Sequence, residues 1–224
     1  MKIFCLMGVY VAVACHARGG DIRGTVRAEG KQGVETQASD GKYESRKFKF
    51  VERVDYTALK EFVVYIDQPP SEKATPPAKP VTVVTQRDAT FKPHVLPVVV
   101  GTTVAWPNQD EILHNVFSYS DPKQFDLGLY KDEVKNVKFD TAGRVDVFCS
   151  IHSKMHCIIL VLENPFFATT DASGSYVIKD VPPGKYRLKA WHERLPAQVL
   201  EVVVPESGDA KAHFVLGIKG LPQY

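Results

Sequence analysis

One short segment, Phe148-Cys149-Ser150-Ile151-His152-Ser153-Lys154-Met155, carries a thiol, an imidazole and a thioether at the spacing Cys-x2-His-x2-Met. Residue frequencies alone would produce that spacing in roughly one chain in 600. Upstream, Trp106-Pro107-Asn108-Gln109-Asp110 ends one strand-like stretch and His114-Asn115 opens the next. Two imidazoles, one thiolate and one thioether are then available to a single ion. Thiolate and thioether are soft donors that suit copper(I), and imidazoles also suit copper(II). A trigonal His2Cys set with a weak, long Met is the ligand set of a blue-copper electron-transfer site. Structural zinc more often recruits four Cys or His ligands and has little use for Met. The expected metal site is therefore one type 1 copper on His114, Cys149, His152 and Met155. Met155 would close the coordination sphere, which argues against a substrate-binding enzyme. The chain also contains no P-loop, dinucleotide fingerprint or Gly-x-Ser-x-Gly elbow.

Other readings of the same residues stay open. Cys149 could pair with Cys157 if their Cα atoms lie within roughly 7 Å, giving a metal-free adhesion or assembly module. The four ligands could also hold copper(I) for storage or delivery without electron transfer. Cys157 taken alone reads as a small buried side chain at the start of a strand, and Lys154 and His156 read as solvated loop residues.

Short β-rich runs must position these groups. Asp21 to Arg27, Phe62 to Ile66, Val81 to Val84, Val98 to Val100, Thr103 to Trp106, Asn136 to Phe139, Val145 to Phe148 and Ile158 to Leu162 read as strands. Glycines and prolines punctuate them, which predicts an all-β sandwich or barrel. The one helical candidate is Tyr56 to Phe62. Five prolines in residues 68–80 predict an extended loop or linker. Past Asn164-Pro165 the texture changes to turn-and-strand units at Asp171 to Tyr176 and Val181 to Leu188, followed by Gln198 to Val204 and Ala212 to Leu216. The expected division is a leader at 1–17, N-terminal strands and a Pro-rich linker at 18–80, a metal-site sandwich at 81–163 and a smaller sandwich at 164–224. Residues 18–67 could be a separate unit or could complete the middle sandwich.

The chain has 224 residues, with 28 Lys+Arg against 26 Asp+Glu and a net charge of +2. So even a balance speaks against a nucleic-acid partner, and four Cys are too few for a disulfide-built miniprotein. Lys2, the apolar run Ile3 to Cys15 and the ending Cys15-His16-Ala17 read as a signal peptide cleaved after Ala17. The run is shorter than the roughly 20 residues of a membrane span, and no later run is long enough for one. A lipid anchor at Cys15 is the alternative, weakened by Ala12 where Leu is usual. The expected location is exported, periplasmic or secreted. The mature chain then keeps only Cys149 and Cys157.

With these residues in view, the chain resembles the cupredoxin (plastocyanin-like) family. More closely it is similar to periplasmic methylamine-utilization or plastocyanin-like proteins that add a carboxypeptidase-regulatory-like sandwich. The matching stretches are Gln86 to His94, Val104 to Asn108, His114 to Ser118, Phe125 to Gly128, the Cys149 loop, and Pro183 to Tyr186 with Trp191-His192-Glu193. The resemblance implies a Greek-key cupredoxin sandwich, a C-terminal transthyretin-like sandwich without catalysis, and a redox partner such as a c-type cytochrome or a dehydrogenase. It implies that His114, Cys149, His152 and Met155 are the copper ligands, that Asn115 ties the two ligand loops together, and that His152 is the solvent-facing electron port. Cys157 departs from the small Ala or Gly common there, and residues 18–80 match loosely. His94 and His192 lie in family-like segments and are second-rank candidates for a second metal or an interdomain role.

Overall fold

The computed structural model describes residues 19–30, 55–68 and 82–217. The expected leader with its Ala17 cleavage and Cys15 lipid alternative, and nearly all of the Pro-rich stretch, lie outside the described residues. The described chain is almost all β. Two strands come first, β1 (Gly20–Glu29) and β2 (Val63–Ile66). Ten follow: β3 (Thr82–Val83), β4 (Thr85–Arg87), β5 (Thr90–Lys92), β6 (Val95–Val99), β7 (Thr102–Pro107), β8 (His114–Ser120), β9 (Lys123–Tyr130), β10 (Val134–Phe139), β11 (Gly143–Phe148) and β12 (His156–Leu162). Six more close the chain: β13 (Phe167–Thr169), β14 (Ser175–Val181), β15 (Gly184–His192), β16 (Leu195–Val204), β17 (Ala210–Lys211) and β18 (Phe214–Gly217). Where the sequence predicts a short helix over 56–62, a single 3-10 turn at Tyr56–Ala58 forms instead. Phe62, Val63 and Val64 are drawn into the cores, and their β-branched and aromatic side chains favour a strand. No described helix is long and apolar enough to cross a membrane.

The middle strands make a sandwich of two sheets, β10-β7-β3 and β6-β12-β11-β8-β9. In β7, Thr102, Val104 and Trp106 are buried while the residues between them are partly exposed, the period-two pattern of a strand with one inward face. Phe91, Val104, Trp106, Phe139, Val145 and Val147 fill the space between the sheets. Burying one Val or Phe side chain of this kind contributes about 1.5–3 kcal/mol.

β1 and β2 pair with the C-terminal strands. β1 hydrogen-bonds antiparallel to β14 and parallel to β17 and β18. β2 sits between β13 and β15. The second sandwich therefore stacks a β14-β1-β17 sheet, with β18 also on β1, against β13-β2-β15-β16. Ile22, Val64, Tyr176, Leu188 and Phe214 lie in its core.

β12 is the seam between the two sandwiches. Cys157, Ile159 and Val161 face the middle core. Leu160 and Leu162 face Val63, Val95, Tyr65, Phe167 and Trp191. A strand covered on both faces needs an unbroken apolar run, and Ile158 to Leu162 is one.

Candidate metal centre

His114 opens β8 opposite Tyr130 of β9 and is fully buried. Its Nε2–H donates to Asp110 Oδ2 at 2.7 Å. That commits the ring proton to the outer nitrogen and leaves the lone pair on Nδ1. Asp110 is itself held. The N–H groups of Asp88 and Ala89 donate to its carboxylate at 2.7 and 2.9 Å. These two residues form the β4–β5 hairpin turn and have φ of 57° and 49°, a left-handed backbone that non-glycine residues seldom adopt. Burial alone would raise the Asp110 pKa, but hydrogen bonds from Ala89, His114 and Asp88 outweigh it and hold the carboxyl below its ordinary range. Asn108 shapes the loop between: its amide donates to Ile112 O and Tyr130 O, and its Oδ1 accepts from Asp110 N–H at 2.9 Å.

Cys149 leaves the end of β11 and begins a tight loop. Cys149 N–H donates to Met155 O at 3.2 Å, and Met155 N–H donates to His152 O at 2.9 Å. Asn115 joins this loop to the sheet. Its Oδ1 accepts from Ser150 N–H at 3.2 Å while its amide donates to Asp126 at 2.7 Å.

The three donors converge. His114 Nδ1 and His152 Nδ1 are 3.0 Å apart, and Cys149 Sγ is 3.7 Å from His152 Nδ1. One ligand atom from each of His114, Cys149 and His152 lies within 4.8 Å of the others. His114 and Cys149 are buried and His152 is half-buried. Met155 is buried in the same core as Cys149 and Trp106. Two imidazole nitrogens and a sulfur that converge make a donor set that fits copper. Tyr130 braces the same region: its hydroxyl donates to Trp106 O at 2.7 Å and accepts from Gln86. Burial pushes its pKa up to about 12.

Cys149 and Cys157 are both free thiols. Cys157 stands opposite Val147 with its side chain in the core, whereas Cys149 lies beyond the paired part of β11. Burial raises the Cys157 thiol well above its ordinary pKa, so it is a core side chain.

A second cluster differs from the sequence expectation. His94 meets His156 and Glu193, and these three can offer ligand atoms within 4.8 Å of one another. His192 turns elsewhere. It is buried against Phe62 at 4.9 Å, its Nδ1 accepts from Arg194 N–H at 3.1 Å, and burial lowers its pKa. His156 is not a solvated loop residue, because β12 begins at His156. Its Nε2 donates to Asp146 Oδ1 at 2.9 Å and its ring stacks on Phe148. Asp110, His156 and Glu193 are thus the polar partners that sequence reasoning missed. Their only signal was proximity along the chain to His114, Met155 and His192.

No protein-family model matches the chain, and no curated protein matches it. Several solved structures are similar over part of it. A copper-containing nitrite reductase from Thermus scotoductus SA-01 shares 28% identity over 43% of this chain, with a TM-score of 0.37, and the chain spans only 25% of that protein. A purple cupredoxin from Nitrosopumilus maritimus shares 22% identity over 36% of this chain and 99% of its own, with a TM-score of 0.33. A mutant of amicyanin in its Cu(I) form shares 23% identity over 44% of this chain and 98% of its own, with a TM-score of 0.35.

Proposed function

We propose that this chain is an exported carrier of single electrons that uses one type 1 copper held by His114, Cys149, His152 and Met155. The observation that supports it most is the convergence of His114, Cys149 and His152 within 4.8 Å. Bound copper would supply a one-electron Cu(II)/Cu(I) couple. The chain's own residues supply rigidity. His114 starts a paired strand, Asp110 fixes its ring, and backbone bonds close the Cys149–Met155 loop. Ligands held this firmly change little between oxidation states, so little rearrangement opposes exchange. Half-buried His152 would be the port. Ile112, Leu113 and Ile151 next to the ligand positions, together with Leu129, are each about half exposed. Exposed apolar side chains adjacent in sequence to the ligands would suit brief docking of a redox protein such as a c-type cytochrome or dehydrogenase.

Copper-loaded, oxidised protein is expected to show an intense visible thiolate-to-copper band that Cys149→Ala abolishes. A colourless copper-loaded wild type overturns the proposal. Full copper occupancy with no electron exchange against reduced cytochrome c in stopped flow would replace electron transfer by storage.

A further inference from the structure

The cluster of His94, His156 and Glu193 is separate from the copper ligands and has different chemistry. His94 immediately precedes β6 and His156 opens β12, both in the middle sandwich. Glu193 follows β15 in the second sandwich. The hydrogen-bonding of His94 is the first observation. Its Nδ1 lies 3.2 Å from the carbonyl oxygen of His156, and its Nε2 lies 2.9 Å from Glu193 Oε1. Both neighbours are acceptors, and a neutral imidazole has one N–H to give. The contact with Glu193 is met either by a second ring proton or by a metal ion shared between Nε2 and the carboxylate. The second observation is His156. Its Nε2–H is committed to Asp146 Oδ1 at 2.9 Å, and Asp146 also takes two hydrogen bonds from Arg144. A histidine whose outer nitrogen is anchored on a carboxylate, with its other nitrogen left as the lone-pair donor, is the usual arrangement of a metal ligand. The ring is further fixed by stacking on Phe148 at 4.8 Å and by an edge contact with His94 at 5.4 Å.

We infer that His94, His156 and Glu193 form a second metal site, one that takes a divalent ion of borderline softness such as Zn2+ across the seam between the two sandwiches. Two imidazoles and a carboxylate contain no sulfur, so the set does not select copper(I) as the Cys149 site does. Two histidines and a glutamate are also a ligand set that zinc accepts with water in the fourth position. Water has access, because the side chains of His94, His156 and Glu193 are 37%, 25% and 22% exposed. An ion there would clip Glu193 of the second sandwich onto two histidines of the first.

The test is equilibrium dialysis of the full chain, first loaded with copper(I), against Zn2+. The expected result is one zinc per chain. His94→Asn and Glu193→Gln should each weaken zinc binding by about 100-fold or more, since loss of even an outer partner of a ligand costs 10–100-fold. Zinc should raise the melting temperature of the wild type and not that of Glu193→Gln, whose shape is conserved. Absence of zinc uptake, or uptake that neither variant weakens, overturns the inference. If the chain fails to take copper, the titration is run on metal-free protein, where zinc can also enter the Cys149 site. The two variants must then lower the zinc count by one, so the copper reading and the zinc reading fail separately.

Discussion

Asp110 carries two duties through one carboxylate. It accepts the Nε2–H of His114 and also the two N–H groups of a left-handed hairpin turn. With copper bound, the first duty would bear on its reduction potential. A carboxylate 2.7 Å from the ring favours the more positive oxidation state of an ion on Nδ1. Asp110→Asn removes that charge yet leaves an amide oxygen able to accept from His114. The reduction potential of the copper-loaded variant is therefore expected to rise, as read by redox titration of the visible band. An unchanged potential would remove Asp110 from any tuning role. The second duty touches stability. Hydrogen bonds to a charged group contribute about 1.5–3 kcal/mol, so the variant should also melt below the wild type. Spacing and ligand softness pointed to His114, Cys149, His152 and Met155 in the sequence, and the structure brings donor atoms of the first three within 4.8 Å of one another. Asp110 was illegible there, because an acid in a polar loop has no distinguishing pattern until the chain brings Asp88, Ala89 and His114 around it.

Among the elements, β9 shows how a strand braces the site. Tyr130 stands opposite His114, and its buried hydroxyl donates to Trp106 O. Tyr130→Phe should cost about 1 kcal/mol, the net worth of a hydrogen bond, and chemical denaturation measures it. The same residue sets a pH dependence. Its pKa rises from 10.0 to about 12 on folding. Below pH 10 both folded and unfolded chains keep the proton and the full stability is present. Between 10 and about 12 the unfolded chain releases its proton first, so stability falls as pH rises through that window. Tyr130→Phe should flatten this alkaline decline. Part of the decline should persist, because burial also raises the Tyr176 pKa. A decline identical in the variant would count against a buried, protonated Tyr130. Alternation made β7 and β11 readable in advance, and the apolar run made β12 readable. β4 and β5 were not readable, since three residues are too few to show a period. β9 was hidden by Gly128, whose φ of +66° interrupts an otherwise alternating strand.

At the scale of the whole molecule, strand pairing runs against chain order. β1 lies inside a sheet whose other members come from residues 175–217, with Gly20 opposite Val181 and Val26 opposite Phe214. Sequence texture marked a change near Asn164-Pro165 but left residues 18–67 unplaced. Local periodicity identifies a strand and says nothing about a partner so distant along the chain. The pairing has a sharp consequence at Gly24. A Cβ there would stand 1.6 Å from Ala212 O, a backbone atom that no side-chain rotation can move. Gly24→Ala must push β1 from the segment that joins β17 to β18, and overpacking of this kind costs about 1–3 kcal/mol or more. The loss should fall on the second sandwich, because the middle core contains none of the residues around Gly24. A chain beginning at residue 82 is the stronger version. It removes β1 and β2, each flanked by strands on both sides, and leaves β13–β18 without the middle of either sheet. Limited proteolysis should then digest residues 164–217 and spare a fragment near 82–163 that still holds His114, Cys149 and His152. That fragment should be less soluble than the full chain, because Val95, Leu160 and Leu162 lose their cover of Val63, Tyr65, Phe167 and Trp191. Equal protection of both halves in the truncated chain would mean that β1 and β2 are dispensable to the second sandwich despite their central place in its sheets.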